Sequence, residues 1–240
     1  MNLTSYPNPR LTCRRFPPGV PGPNLTYRFC RRFLHLTVGT LWGVRVFNRR
    51  FEPAAGSALY ISNHQSLMDP PLMSMALRRP VNYMARDALF RVPGFGRLIR
   101  AVNAFPVRRG SADTGALKEA LRRLKAGGQL AVFPEGTRTK DGTIGPFLPG
   151  ITMLAQRAAD WVVPVVIDGA FECWPRTSLL PMPGLITVAY CQPLGRAEVQ
   201  SMSGEELLAV VRTRMIEMQA ELRRRTGRPA VASDLTRHTR

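Results

Sequence analysis

"SALYISNHQSLMDPPLMSMALRR", residues 57–79, decides the fold. Its first part, 57–63, is a short apolar run of the length of a buried strand, and 70–79 has helical apolar spacing. Between them lie His64 and Asp69, five positions apart in a chain with three histidines. On a regular helix, positions five apart are turned from one another by about 140°. The two side chains therefore meet only if His64 occupies the strand-to-helix turn and Asp69 opens the helix. Asp69-Pro70 reads as an N-cap followed by proline at the first helical position, with Ser66 as a rival cap one turn earlier.

The same alternation continues outward. Strands are expected at 81–86, 103–107, 129–136, 162–169 and 185–192. Helices are expected at 89–102, interrupted at Pro93-Gly94, then at 113–128, 151–159 and 204–225. In the 113–128 helix Leu117, Leu121 and Leu124 share a face and Gly127 terminates it; Ser203 caps the last helix. Strands separated by helices predict an α/β fold with a sheet flanked by helices. No internal repeat is present.

The 240 residues suffice for one substantial core, and 45% of them are apolar. The formal charge is +18. It is concentrated at the ends: the first fifty residues hold nine arginines and no acid, and from Arg212 onward there are eight arginines and three acids. Such ends suit a membrane, a nucleic acid or simply solvent. No helix-turn-helix, zinc-finger or RNA-recognition pattern is present, so a specific nucleic-acid partner is not expected.

Residues 1–25 are proline-rich and read as a disordered basic tail, and 226–240 as a second one. Segment 26–50 contains "FLHLTVGTLWGVRVF" (33–47), apolar with arginines at both ends. It is too short and too interrupted to span a bilayer and is a poor signal peptide. A helix over about 27–47, lying in the membrane interface, is the expectation. The folded domain is then 51–225. The four cysteines, Cys13, Cys30, Cys173 and Cys191, form no C-x-x-C pair and read as reduced structural thiols in a cytosolic setting, with no metal site.

His64 next to Asp69 is two-thirds of a hydrolase triad. A carboxylate on one ring nitrogen fixes the tautomer and stabilises the imidazolium that forms when the other nitrogen takes a proton. With no nucleophile of the chain's own, the proton comes from a substrate hydroxyl. Ser66 as nucleophile is the alternative, although nothing around it resembles a nucleophile elbow. By itself the pair also matches a capping Asp beside a half-buried His. Two further segments bring polar residues to strand ends: "AFPVRRG" (104–110) with Arg108 and Arg109, and "FPEGTRTKDG" (133–142) with Glu135, Gly136, Thr137 and Arg138. Ligands bind at such ends in α/β folds; Gly136 permits close backbone approach and Arg138 offers a fork for phosphate.

The ordered set NHQSLMD, FPVRRG, FPEGTR and VPVVI resembles the lysophosphatidic acid acyltransferase family over about 58–169, and "LFRVPGFGRLI" is similar to it too. The resemblance implies a mixed, mostly parallel glycerolipid acyltransferase-like sheet behind the interfacial helix. It implies transfer of an acyl group from acyl-CoA or acyl-carrier protein to the sn-2 hydroxyl of 1-acyl-glycerol-3-phosphate, giving phosphatidic acid, without metal or other cofactor. His64 would be the base and Asp69 its partner. Arg109 would bind the acceptor phosphate, and Glu135, Gly136, Thr137 and Arg138 would line the acceptor site, with Pro164 nearer the donor. The partners implied are an anionic membrane surface, a lysophospholipid and an acyl thioester. The place implied is the cytoplasmic face of the membrane, as a peripheral or monotopic protein. Arg108 and Leu148 depart from the family pattern, where Asp and Lys are common. They leave open another lysolipid acceptor, and a non-catalytic lipid-binding relative is the remaining alternative.

Overall fold

In a computed structural model of the protein, residues 23–108 and 113–231 are described. The chain enters through α1 (Leu25–Leu41), capped by Asn24, whose side chain accepts the Tyr27 N–H at 2.7 Å. It crosses to the edge strand β1 (Arg45–Phe47) and then to β2 (Ala58–Ser62), buried at every position. There follow α2 (Asp69–Ala76), β3 (Val81–Arg86), α3 (Phe95–Ala101), β4 (Ala104–Val107), α4 (Thr114–Lys125) and β5 (Gln129–Val132). The second half is α5 (Gly150–Ala158), β6 (Trp161–Asp168), α6 (Ala170–Cys173), β7 (Thr187–Tyr190), β8 (Leu194–Gly195), α7 (Arg196–Gln200) and α8 (Gly204–Thr226).

The strands form one sheet in the order β1-β7-β6-β2-β5-β3-β4, with β8 also beside β6. Strands β6, β2, β5, β3 and β4 run parallel; β7 and β8 are antiparallel to β6. The sheet is thus mixed and mostly parallel. Both of its faces are covered, which is why β2 reads as a continuous apolar run rather than an alternating one. Leu59 and Ile61 point to the side packed by α4, α5 and α8, where Ala120, Leu154 and Met215 lie. Ala58 and Tyr60 point to the opposite side, against Leu72 and Met73 of α2.

The capping signals act as read. Ser203 and Glu206 form a reciprocal capping box at the start of α8. Gly127, two residues past the end of α4, takes a left-handed φ of 79°. The first helix does not run to residue 47: it stops at Leu41, and 45–47 is an edge strand registered against Thr187, Val188 and Ala189 of β7. Apolar content alone does not separate a short helix from a strand. Here β7 offers a row of backbone partners, which β-branched Val46 fits. Of the two expected tails, 1–22 and 232–240 lie outside the described residues. Residues 227–231 are held: Arg228 reaches back to Asp168, and the Pro229 carbonyl accepts from Arg223 Nε. Among the described residues no helix is long and apolar enough to cross a membrane.

Candidate active site

Strands β2, β5 and β6 are adjacent and parallel, so the segments leaving their C-terminal ends share one edge of the sheet. Asn63, just past β2, ties two of these ends together. Its side-chain amide donates to the Ile167 carbonyl and accepts the Ile167 N–H, both at 2.8 Å, replacing a backbone rung. His64 follows. Its N–H donates to Glu135 Oε1 at 2.9 Å, and its carbonyl accepts the Thr139 N–H at 2.8 Å. The histidine backbone is therefore clamped by the loop that follows β5.

The His64 ring stacks on Phe133, with centroids 4.5 Å apart and planes 25° apart. Its Nδ1 lies 2.7 Å from Asp69 Oδ2. A carboxylate acceptor there assigns the proton to Nδ1 and leaves the Nε2 lone pair for substrate. Asp69 is fully buried, and the same Oδ2 also accepts the Gln65 and Ser66 N–H groups at 2.6 and 2.8 Å. The turn is built around that single oxygen. Burial pushes the Asp69 carboxyl up, against the pull of its bonds to His64, Ser66 and Gln65. Asp69 is the first residue of α2 rather than its N-cap, and its carboxylate turns back to residues 64–66 instead of capping forward. Proline at 70 and 71 lacks the N–H groups that a forward cap would serve. Ser66 is fully buried, its hydroxyl donating to the Trp174 carbonyl and accepting the Met68 N–H, so it is not positioned to attack a substrate.

Glu135 comes to the same turn. One of its oxygens takes the His64 N–H, and the other takes the Gly145 N–H at 3.3 Å. Burial pushes its carboxyl up to about 7, opposed by those two amides and reinforced by the nearby Asp69 charge. The folded state then holds this proton more tightly than the unfolded chain, whose ordinary value is 4.5. The group's contribution to stability is full below that value and is lost as pH rises through about 7. Wild type is accordingly expected to lose melting temperature relative to Glu135→Gln across this window. Thermal melts at the two ends of the window check it, and an unchanged difference would sink the expectation.

Gly136 has a φ of +68°, and a Cβ there would lie 2.9 Å from Leu148 Cδ1, so the turn requires glycine. Thr137 is exposed. Arg138 is half-buried and makes no hydrogen bond or ion pair with a described residue, leaving its guanidinium available. Arg109 lies outside the described residues. Its neighbour Arg108 is exposed, with its N–H on Asp113 Oδ2 at 2.8 Å. Pro164 is buried within β6 opposite Ile61, where the pairing with β8 gives way to that with β7.

Several contributors carry no motif of their own. Arg212 of α8 donates to the Ile144 and Gly145 carbonyls, both at 3.0 Å, and so holds the loop whose Gly145 N–H holds Glu135. Gln65 and Gln219 both donate to the Gly142 carbonyl. At the end of β6, fully buried Asp168 pairs with Arg223 at 2.8 Å and Arg228 at 2.7 Å. The one signal for this cluster was an acid closing an apolar strand, followed much later by an arginine-rich helix end.

Known proteins are similar to this chain. A 1-acyl-sn-glycerol-3-phosphate acyltransferase from Cocos nucifera is 34% identical over 140 residues, covering 57% of this chain and 46% of that protein. One from Bacillus subtilis (strain 168) is 26% identical over 186 residues, covering 77% and 90%. The chain thus spans less than half the length of the first relative and most of the second. The crystal structure of the 1-acyl-sn-glycerophosphate (LPA) acyltransferase PlsC from Thermotoga maritima superposes with a TM-score of 0.71 at 28% identity, covering 82% of this chain and 79% of that one. The acyltransferase family model matches residues 43–168, a span that begins just before β1 and ends at the buried Asp168. It takes in the His64 turn and the Glu135 loop together, and on that match the chain belongs to the acyltransferase family.

Proposed function

We propose that the protein is a 1-acyl-sn-glycerol-3-phosphate acyltransferase, forming phosphatidic acid from a lysophosphatidate and an acyl thioester, either acyl-CoA or acyl-carrier protein. The observation that carries this is the His64 ring, oriented by Asp69 at 2.7 Å, with Nε2 bonded to no described residue at the C-terminal edge of the sheet. The names of the relatives support the choice of acceptor. Nε2 takes the proton of the sn-2 hydroxyl as its oxygen attacks the thioester carbonyl. The C–O bond forms, the C–S bond breaks, and the leaving thiolate takes the proton back from the imidazolium. Asp69 stabilises that cation meanwhile. No covalent acyl-enzyme and no cofactor beyond the acyl donor enters this scheme. Arg138, with no partner among the described residues, and Arg109 would bind the acceptor phosphate. Glu135 would shape the acceptor loop through the two amides it holds. The alternative of a different lysolipid head group rests on Leu148, which packs against Gly136 where a cation would favour a second phosphate contact.

The protein would work at the cytoplasmic face of an anionic membrane. Helix α1 turns Tyr27, Arg31 and Val38 toward the body of the domain, with Tyr27 bonded to Ser74 and Arg31 to the Leu77 and Arg78 carbonyls. Leu25, Phe29, Phe33 and Leu36 form an exposed stripe on the other side, flanked by exposed Arg28 and Arg32. An apolar stripe with basic margins fits the headgroup boundary.

The test is incubation of the purified protein with lysophosphatidate and acyl-CoA, or acyl-carrier protein, following lipid product and thiol. Phosphatidic acid with one thiol released per molecule is the expected result. Absence of acylated product with every lysolipid acceptor and both donors would overturn the reading in favour of a binding protein.

A further inference from the structure

Among the described residues outside α1, the two most exposed apolar side chains fall in one short loop between α6 and β7, with a third exposed one beside them. Leu179 is 93% exposed, Leu180 76% and Met182 57%. Two adjacent leucines standing almost free in water are costly to leave uncovered. The loop is nevertheless well built. The Trp174 indole N–H donates to the Ser178 carbonyl, the Ser178 hydroxyl to the Leu180 carbonyl, and the Met182 N–H to the Cys173 carbonyl. The Met182 carbonyl accepts the Trp42 indole N–H at 2.6 Å. Pro181 and Pro183 have no N–H to satisfy. Much of the tip's backbone is thus already paired, as a segment leaving water requires.

The Trp42 bond also places the loop against the C-terminal end of α1, beside exposed Leu41. The loop therefore adds exposed apolar surface at that end of the helix. The loop and the α1 segment themselves carry charge of one sign, and the acids that border them, Glu52 and Glu172, are paired with Arg78 and Arg223. No aspartate or glutamate occurs in 23–51 or in 173–197, and Arg45 and Arg176 are exposed there. An anionic lipid surface complements this; a protein partner would need acids placed to match. At its base the loop is joined to the His64 turn: Ser66 Oγ donates to the Trp174 carbonyl at 3.0 Å, and the Phe171 N–H to Gln65 Oε1 at 3.2 Å.

We infer that the loop bearing Leu179, Leu180 and Met182 is a second membrane-inserting element, entering an anionic lipid surface beside α1 and bringing that surface to the His64 turn. The inference rests on the reading of α1 as a membrane-surface helix. Two anchors, one on each side of Trp42, fix the orientation of the domain on the bilayer, which one helix free to roll about its axis does not.

Flotation of the full chain with vesicles of phosphatidylcholine, alone or mixed with phosphatidylglycerol, tests this. Wild type is expected to float with the anionic vesicles, and Leu179→Asp/Leu180→Asp to bind about ten-fold less. Both side chains face solvent, so this variant is expected to keep its melting temperature and its turnover of a short-chain, monomeric acceptor. Leu180→Trp supplies a positive signal, an added fluorescence quenched by brominated lipid. Phe29→Asp/Leu36→Asp, on α1, separates the two readings. Release by that variant, with the loop variant still bound and Leu180→Trp unquenched, overturns the loop assignment and leaves α1 standing. Failure of wild type to bind either vesicle overturns both. Dissociation of a dimer by the loop variant without vesicles, with lipid binding unchanged, would show that the loop covers a second copy of the chain and would overturn the proposal.

Discussion

His64→Ala is expected to lower turnover by about 10³-fold or more, since it removes the proposed general base and leaves only binding and positioning. The fold should tolerate the change. The His64 backbone bonds to Glu135 and Thr139 do not involve the ring, and Asp69 keeps the Gln65 and Ser66 amides. Asp69→Asn refines the result. All three donors converge on one carboxylate oxygen, and two of them are main-chain N–H groups that cannot reverse. They hold the asparagine oxygen in the place of Oδ2 and its NH2 where Oδ1 now lies without a partner. The histidine tautomer is preserved and only the negative charge is lost. The expected fall is therefore smaller, about 10²-fold, in kcat rather than in the acceptor KM. Initial rates over a range of acceptor concentration measure both. A rate within a factor of two of wild type in His64→Ala would remove the base from the mechanism. A drop in Asp69→Asn as large as in His64→Ala would mean that the amide has flipped and the tautomer with it.

The largest loss of stability is expected from Asp168→Ala. This acid is fully buried and faces two arginines, one of them, Arg223, also nearly buried and shared with Glu172 at 2.8 Å. Removing the acid leaves two cations without their main partner in a dry site, which costs about 3–5 kcal/mol. For a domain of this size that is a fall of roughly 10 °C in melting temperature. Replacing Arg223 by methionine in the same chain should recover part of the loss, because the stranded charge is then gone. Thermal melts of the single and double variants decide it; strictly additive losses would mean that the pair does not act as a unit. The fold also depends on glycine here. Gly169 follows with a φ of +94°, and a Cβ on it would lie 2.3 Å from the Leu185 carbonyl oxygen. The chain leaves β6 by a route that only glycine permits.

Much of this architecture was legible in the order of residues. Runs such as 58–61 and 162–167, apolar throughout, can be buried on two faces only in a sheet covered by helices, so the α/β class followed directly. Caps such as Ser203 and terminators such as Gly127 act within a few residues, and they were read at their correct places. The His64–Asp69 pair was legible because both partners sit in one turn, as was the placing of Glu135 and Arg138 just past the end of strand β5. The extent of the first helix was not. Residues 45–47 become a strand through hydrogen bonds to a segment some 140 positions away, and no local pattern contains that partner. The backward turn of Asp69 was misread as a cap for a local reason: prolines at 70 and 71 offer no N–H, and the carboxylate serves the amides of Gln65 and Ser66 instead.

The sequence by itself determined the fold class and which turn brings His64 and Asp69 together, since burial and capping are set by neighbouring residues. Tertiary structure alone decided how that turn is held. Glu135 clamps the His64 amide because β2 and β5 lie side by side, Arg212 steadies the Glu135 loop from α8, and Asp168 binds two arginines more than fifty residues away. Those contacts depend on strand order and helix placement, which are fixed only when the whole core closes around the sheet.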